Sequence, residues 1–199
     1  MSSTSAPFGF RASFHNSGQI RPKAYTIAST YAANIFSGDP VKLVDAGTVQ
    51  LGTSDGTRSG TVAGISLLGI FAGCQFNDSL GKPTVSPYWP SGTTGTEIIA
   101  YVYDDPETLF NAQYSNPGTP GTTTMQTAVG EEMDWVVASP GGSTSTGLSN
   151  TQIGVIEATS GQFQLTGFGN EVSDSITDAY IVAIVRINEH QYKASVNSI

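Results

Sequence analysis

From Ala24 onward the apolar residues of this chain fall in short runs, several of them alternating, with turn residues between them and no long stretch of helical period. That pattern restricts the chain to an all-β fold. It places strands at Tyr25 to Ser29, Val41 to Val44, Thr48 to Leu51, Val62 to Ala72, Glu97 to Tyr103, Thr108 to Tyr114, Met133 to Ala138, Gln152 to Glu157, Phe163 to Thr166 and Tyr180 to Asn188. Ser37-Gly38-Asp39-Pro40, Ser54-Asp55-Gly56, Asp104-Asp105-Pro106 and Asn116-Pro117-Gly118 supply turn chemistry between them. Three runs, Ile65 to Ala72, Ile98 to Tyr103 and Ile181 to Ile187, are apolar at successive positions. This predicts strands covered on both faces. The core expected from them comprises Ile65, Leu68, Ile70, Ile99, Tyr101, Val102, Val136, Ile181, Ile184 and Val185.

The expected architecture is an antiparallel β-sandwich or barrel forming a single domain over residues 24–199, with little helix. The most helix-like stretch, Val172 to Ala179, has room for one turn. Gly118 to Thr124 and Ser139 to Asn150 are low in complexity and read as exposed loops. Only 12% of the 199 residues are charged, against about 25% in an ordinary soluble domain. Surface helix formers are therefore few, which favours the same fold class.

Charge is distributed unevenly. The formal net charge is -8, and no acid precedes Asp39. Residues 1–23 carry +3 through Arg11, Arg21 and Lys23, leaving five bases against sixteen acids, or -11, in the remainder. The first 23 residues also carry Phe8, Phe10 and Phe14 without strand or helix periodicity. They read as an extended N-terminal arm that orders on a partner. In that reading the aromatics fill pockets and the bases pair with acidic groups; pairing with the chain's own acidic body is the alternative.

An acidic body has no general attraction for phosphate backbones, so no nucleic-acid partner is expected. No apolar stretch reaches the length of a membrane-spanning helix, and Met1 to Pro7 do not resemble a secretory leader, so no membrane partner is expected. The single cysteine, Cys74, forms neither an internal disulfide nor a zinc cluster by itself.

The motifs that suggest chemistry have plainer readings. Gly52-Thr53-Ser54-Asp55-Gly56 matches the nucleophile-elbow spacing, but Thr57-Arg58-Ser59-Gly60 does not start the helix that motif needs, and Asp55-Gly56 is an ordinary hairpin turn. The two histidines, His15 and His190, have no spacing that suggests a triad. Asp104-Asp105-Pro106-Glu107 reads as a capped turn, and Glu131, Glu132 and Asp134 as a solvated strand face. No metal or cofactor is expected, and the chain is not read as an enzyme. Pro87-Tyr88-Trp89-Pro90 is an aromatic group that is either buried, at a subunit interface, or exposed as a platform for a sugar.

Several segments, taken in order, resemble a family of tailed-bacteriophage virion structural proteins. They are Pro7-Phe8-Gly9-Phe10-Arg11, Gly18-Gln19-Ile20-Arg21-Pro22, Gly38-Asp39-Pro40-Val41, Gly69-Ile70-Phe71-Ala72-Gly73-Cys74, Tyr88-Trp89-Pro90, Ala100-Tyr101-Val102-Tyr103-Asp104-Asp105-Pro106 and Val185-Arg186-Ile187-Asn188-Glu189-His190. The resemblance implies a head decoration or cement protein on the capsid exterior, with the major capsid protein and copies of itself as partners. On that reading Phe8, Phe10, Arg11, Phe14, Arg21 and Lys23 would contact the capsid, and Tyr88 and Trp89 would serve an interface. A carbohydrate-binding or host-attachment module of the virion is the competing reading.

Overall fold

The computed structural model describes residues 4–53, 66–115, 127–157, 161–169 and 180–193. The fold is all-β, with 54% of residues in strands. The described residues form fourteen strands: β1 Arg11–Phe14, β2 Lys23–Tyr25, β3 Ile35–Phe36, β4 Pro40–Leu43, β5 Val49–Leu51, β6 Gly69–Asn77, β7 Pro83–Ser86, β8 Tyr88–Trp89, β9 Thr96–Tyr103, β10 Leu109–Ser115, β11 Glu132–Gly142, β12 Ser149–Glu157, β13 Phe163–Phe168 and β14 Tyr180–Ile187.

The C-terminal strands make a closed five-stranded barrel in the order β10-β12-β11-β13-β14, shut by the β14–β10 pairing. Pairing within it is antiparallel except between β10 and β12, which meet in parallel at Tyr114 and Ile153. A barrel this narrow is filled by side chains. Alternation along the strands sends Phe110, Ala112, Tyr114, Met133, Trp135, Ile153, Phe163, Leu165, Ile181, Ala183, Val185 and Ile187 into one cluster. The second sheet runs β2-β9-β6-β4-β5, with β7 also on β6, and its ends meet at a bridge between Thr26 and Thr48. Its core is separate, built from residues such as Ile27, Val41, Phe71, Trp89, Ala100 and Val102.

The two sheets are stitched at two places. The Leu67 N–H donates to the Glu189 carbonyl at 2.8 Å, the Gln191 N–H donates to the Leu67 carbonyl at 2.9 Å, and the Gln191 amide bonds both backbone groups of Leu43. On the other side Ser37 bridges Leu148.

Eight of the ten expected strands sit close to their expected places, and the one expected over Tyr25 to Ser29 shares only Tyr25 with β2. The largest displacement is β6, expected over Val62 to Ala72 and found at Gly69–Asn77; residues 62–65, Ile65 among them, lie outside the described residues. So do the stretches Gly118 to Thr124 and Val172 to Ala179. The stretch expected as a loop at Ser139 to Asn150 is instead largely a hairpin, because β11 runs on to Gly142 and β12 begins at Ser149.

The core expectation needs correcting at Ile99, Tyr101, Val136 and Ile184, which are half-buried. The strands carrying them cover one face fully and the other only in part. On β9 the inward set is Ile98, Ala100 and Val102, and on β14 it is Ile181, Ala183, Val185 and Ile187. Apolar residues on the outer face made both strands look covered on two sides. We expect Ile181→Ala, at a residue 2% exposed, to cost about 2–5 kcal/mol and Ile184→Ala less than half as much, both read by urea unfolding. Equal costs would mean that the outer face of β14 is packed as tightly as the inner.

Candidate functional site

The N-terminal 23 residues held most of the expected contact residues, and the structure binds the described part of them to the body. The Ala6 N–H donates to Gln113 Oε1 at 3.0 Å, the Gly9 N–H to the Thr151 carbonyl at 3.1 Å, and the Phe10 N–H to the Gly38 carbonyl at 3.0 Å. Gly9 and Gly38 both have positive φ, +76° and +98°, and a Cβ on Gly9 would come within 3.1 Å of the Gly38 Cα. Two glycines are therefore what lets the segment cross so close to the β3–β4 turn. β1 then pairs antiparallel with β10, on the same edge that β12 uses further along.

This corrects the expectation of an arm awaiting a partner. One of its three bases finds an acid on the chain itself, Lys23 Nζ lying 3.3 Å from Asp104 Oδ2, and His15 Nε2 lies 3.2 Å from Asp105 Oδ2. Phe10 is 2% exposed and stacks on Phe163, with ring centroids 4.4 Å apart and planes 7° from parallel, so it belongs to the barrel core and is unavailable to a capsid. The remaining expected contacts stay at the surface. Phe14 is 54% exposed, Arg11 is exposed and lies 5.0 Å over the half-buried Phe8 ring, and Arg21 is exposed beside Gln19.

Tyr88 and Trp89 divide differently. Trp89 is fully buried, edge-on to Phe76 at 5.2 Å, while Tyr88 is half-buried and stacks on Phe36 at 5.5 Å. Trp89 therefore presents no face to a sugar, and one face of the Tyr88 ring is taken up by Phe36.

Ser54, Asp55 and Gly56 of the elbow-like motif lie outside the described residues. Asp105 caps its own turn, accepting the Glu107 N–H at 2.9 Å, as a proline-containing turn of this sequence should. Asp134 departs from the expected solvated face: it is 3% exposed, because the bulge between Met133 and Trp135 turns it inward, and Oδ1 accepts the Gln162 N–H at 3.2 Å. Glu132 is likewise engaged, accepting from the Gly161 N–H and from Asn188 Nδ2, each at 2.8 Å.

Two buried polar groups at the junctions between the sheets escaped the sequence reading. Asp39 accepts from Ser149 Oγ and from the Phe36 N–H, and Ser149 Oγ in turn meets Thr151 Oγ1 at 2.8 Å. Burial pushes the Asp39 carboxyl up to about 6, against the opposing pull of those two donors. A pocket of about 210 Å³ bordered by Asn34, Phe36, Leu51 and Val137 opens beside it. At the other junction His190 is fully buried, and its Nδ1 accepts the Tyr192 N–H at 3.0 Å. Burial, with the Lys193 ammonium nearby, holds its imidazole down to about 4, so it is neutral at pH 7. Ser149 and His190 thus belong to different junctions, and the Ser149–Asp39 pair works as a structural clasp. Burial also pushes the Cys74 thiol up to about 12, which leaves it unreactive.

Among the described residues no three metal-ligating side chains gather, and no helix is long and apolar enough to cross a membrane. No protein-family model matches the chain, and comparison with curated proteins and with solved structures finds no match.

Proposed function

We propose that this protein is a structural component of a tailed-phage virion, a decoration or cement protein that binds the outer surface of the assembled head and acts by binding. The observation that carries this reading is the set of exposed side chains on the N-terminal segment. That segment lays Phe14, Arg11 and Arg21 on the surface of a body whose remaining charge is -11. An exposed aromatic ring and two exposed guanidinium groups carried on one segment suit a partner surface that offers pockets and carboxylates. A rigid carrier is what such side chains need, and β1 supplies it by pairing to the closed barrel. Binding that is specific for the assembled, expanded shell would stabilise that shell by mass action. The major capsid protein is the partner this reading requires. The sugar-binding alternative loses its platform with Trp89 buried.

The test is co-sedimentation of purified protein with expanded heads, alongside mass spectrometry of separated heads and tails from virions. We expect the protein in the head fraction and full occupancy in vitro for the native chain. The Arg11→Ser/Phe14→Ser/Arg21→Ser variant should lose at least ten-fold in affinity, and native binding should weaken as salt rises. Recovery of the protein with tails alone, or undiminished head binding by the triple variant, would overturn the proposal or its contact residues respectively.

A further inference from the structure

The outer face of β7, β6 and β9 is self-complementary, and we infer that it is the surface through which two copies of this chain dimerise. This inference does not rest on the virion role. In register across the three strands, Gln75 of β6 pairs with Val85 of β7 on one side and Ile99 of β9 on the other. One row further along, Asn77 lies between Pro83 and Thr96. The alternation of β6 buries Cys74 and Phe76 and leaves Gln75 and Asn77 on the outer face, so these rows line an open groove of about 550 Å³.

The two most exposed large hydrophobic side chains among the described residues lie here. Val85 is 81% exposed, and Leu80, in the β6–β7 turn, is 91% exposed. The turn that presents Leu80 is well held, with Asp78 Oδ1 accepting the N–H groups of both Leu80 and Lys82 at 2.9 Å. Exposed aliphatic side chains on an ordered hairpin beside a groove mark an interaction surface.

Charge chooses the occupant. Lys82 stands on the β7 side of the groove, with no carboxylate in ion-pair range among the described residues. Glu97 stands on the β9 side, in a left-handed conformation with φ of +51°, and its carboxylate accepts from Asn77 Nδ2 at 2.9 Å. A two-fold axis over the central strand β6, near Gln75 and Asn77, would lay β7 of each copy over β9 of the other. Val85 and Leu80 would then enter the partner's groove at Ile99, and each Lys82 would meet the other copy's Glu97. A patch carrying both signs on opposite rims satisfies itself twice under such an axis. Docking is by the face and not by strand addition, because Pro83 and Pro87 bracket β7 and spoil its edge as a template.

The experiment is sedimentation velocity across a concentration series, with the full chain and four variants. We expect the native chain to dimerise with a Kd on the order of 10 µM, the weak end for a specific interface. Leu80→Asp/Val85→Asp should be monomeric throughout, and Lys82→Glu or Glu97→Lys alone should weaken association at least ten-fold. The double exchange Lys82→Glu/Glu97→Lys should restore it, with folding of every variant checked by circular dichroism. Restoration by the double exchange establishes the pairing. A native chain that stays monomeric at all concentrations overturns the inference, and so does a dimer indifferent to these substitutions.

Discussion

Replacing Phe10 with alanine is expected to destabilise the protein by about 3–5 kcal/mol, the usual cost of emptying a buried phenylalanine site. Phe10 contributes to the barrel cluster from outside the barrel strands, stacked on Phe163. Leu67 and Ile70 of the neighbouring sheet belong to the same cluster, so the ring fills space that three parts of the chain share. Little can collapse into the vacancy, since the backbone on either side is pinned by the Gly9 and Phe10 hydrogen bonds. Phe14→Ala, only four residues away and 54% exposed, should change stability by no more than about 0.5 kcal/mol. Thermal unfolding of the two variants checks the contrast; the first should melt roughly 10 °C below the native chain. A loss under about 1 kcal/mol for Phe10→Ala would remove Phe10 from the core. The same argument bears on truncation. Deleting residues 1–23 removes the Phe10 plug, β1 and the first residue of β2, so it should cripple folding and cannot isolate a binding role. Point substitutions at Arg11, Phe14 and Arg21 can.

The role of Phe10 could not be read from its neighbours in the chain. Strand periodicity identified most of the barrel and the second sheet because alternation is a local signal, visible wherever a strand buries one face. β1 carries no such signal: its four residues are mostly exposed, and it is held by pairing to β10, nearly one hundred residues away. The charge split between the first 23 residues and the rest was legible, but its meaning was not. The same bases can pair with a foreign acidic surface or with Asp104, and only the fold places Lys23 beside that carboxylate. Asp39 looked like turn chemistry, and it is that, since it accepts the Phe36 N–H. Its second partner, Ser149, lies 110 residues on, in a stretch that composition alone marks as loop. β6 shows the limit from the other side. The apolar run from Ile65 was visible, yet the strand's register is chosen by β9 and β7, and that sets Gln75 and Val85 side by side on the outer face.

The two buried ionisable groups at the junctions should give the native protein a flatter stability profile in mild acid than either group alone would allow. His190 titrates near 6.5 when unfolded and near 4 when folded. Its contribution is therefore complete above pH 6.5 and is lost as pH falls from there toward 4, about 3 kcal/mol in all. Asp39 has the opposite sign, since its folded value of about 6 lies above its ordinary 3.8. Its contribution is complete below pH 3.8 and is lost as pH rises through 6, again about 3 kcal/mol. Over the shared window, roughly pH 4 to 6.5, protonating His190 strains one junction while protonating Asp39 relieves the other. Single substitutions should uncover the two halves. Asp39→Asn leaves His190 unopposed, so its stability should fall by about 3 kcal/mol more than the native chain's between pH 7 and pH 4. His190→Gln keeps an acceptor for the Tyr192 N–H and leaves Asp39 unopposed; relative to the native chain it should gain about as much over the same range. Urea unfolding at pH 4, 5, 6 and 7 measures both, and comparison with the native curve cancels the slope that all other carboxylates share. Variant curves that run parallel to the native one would show that neither group is held out of its ordinary range.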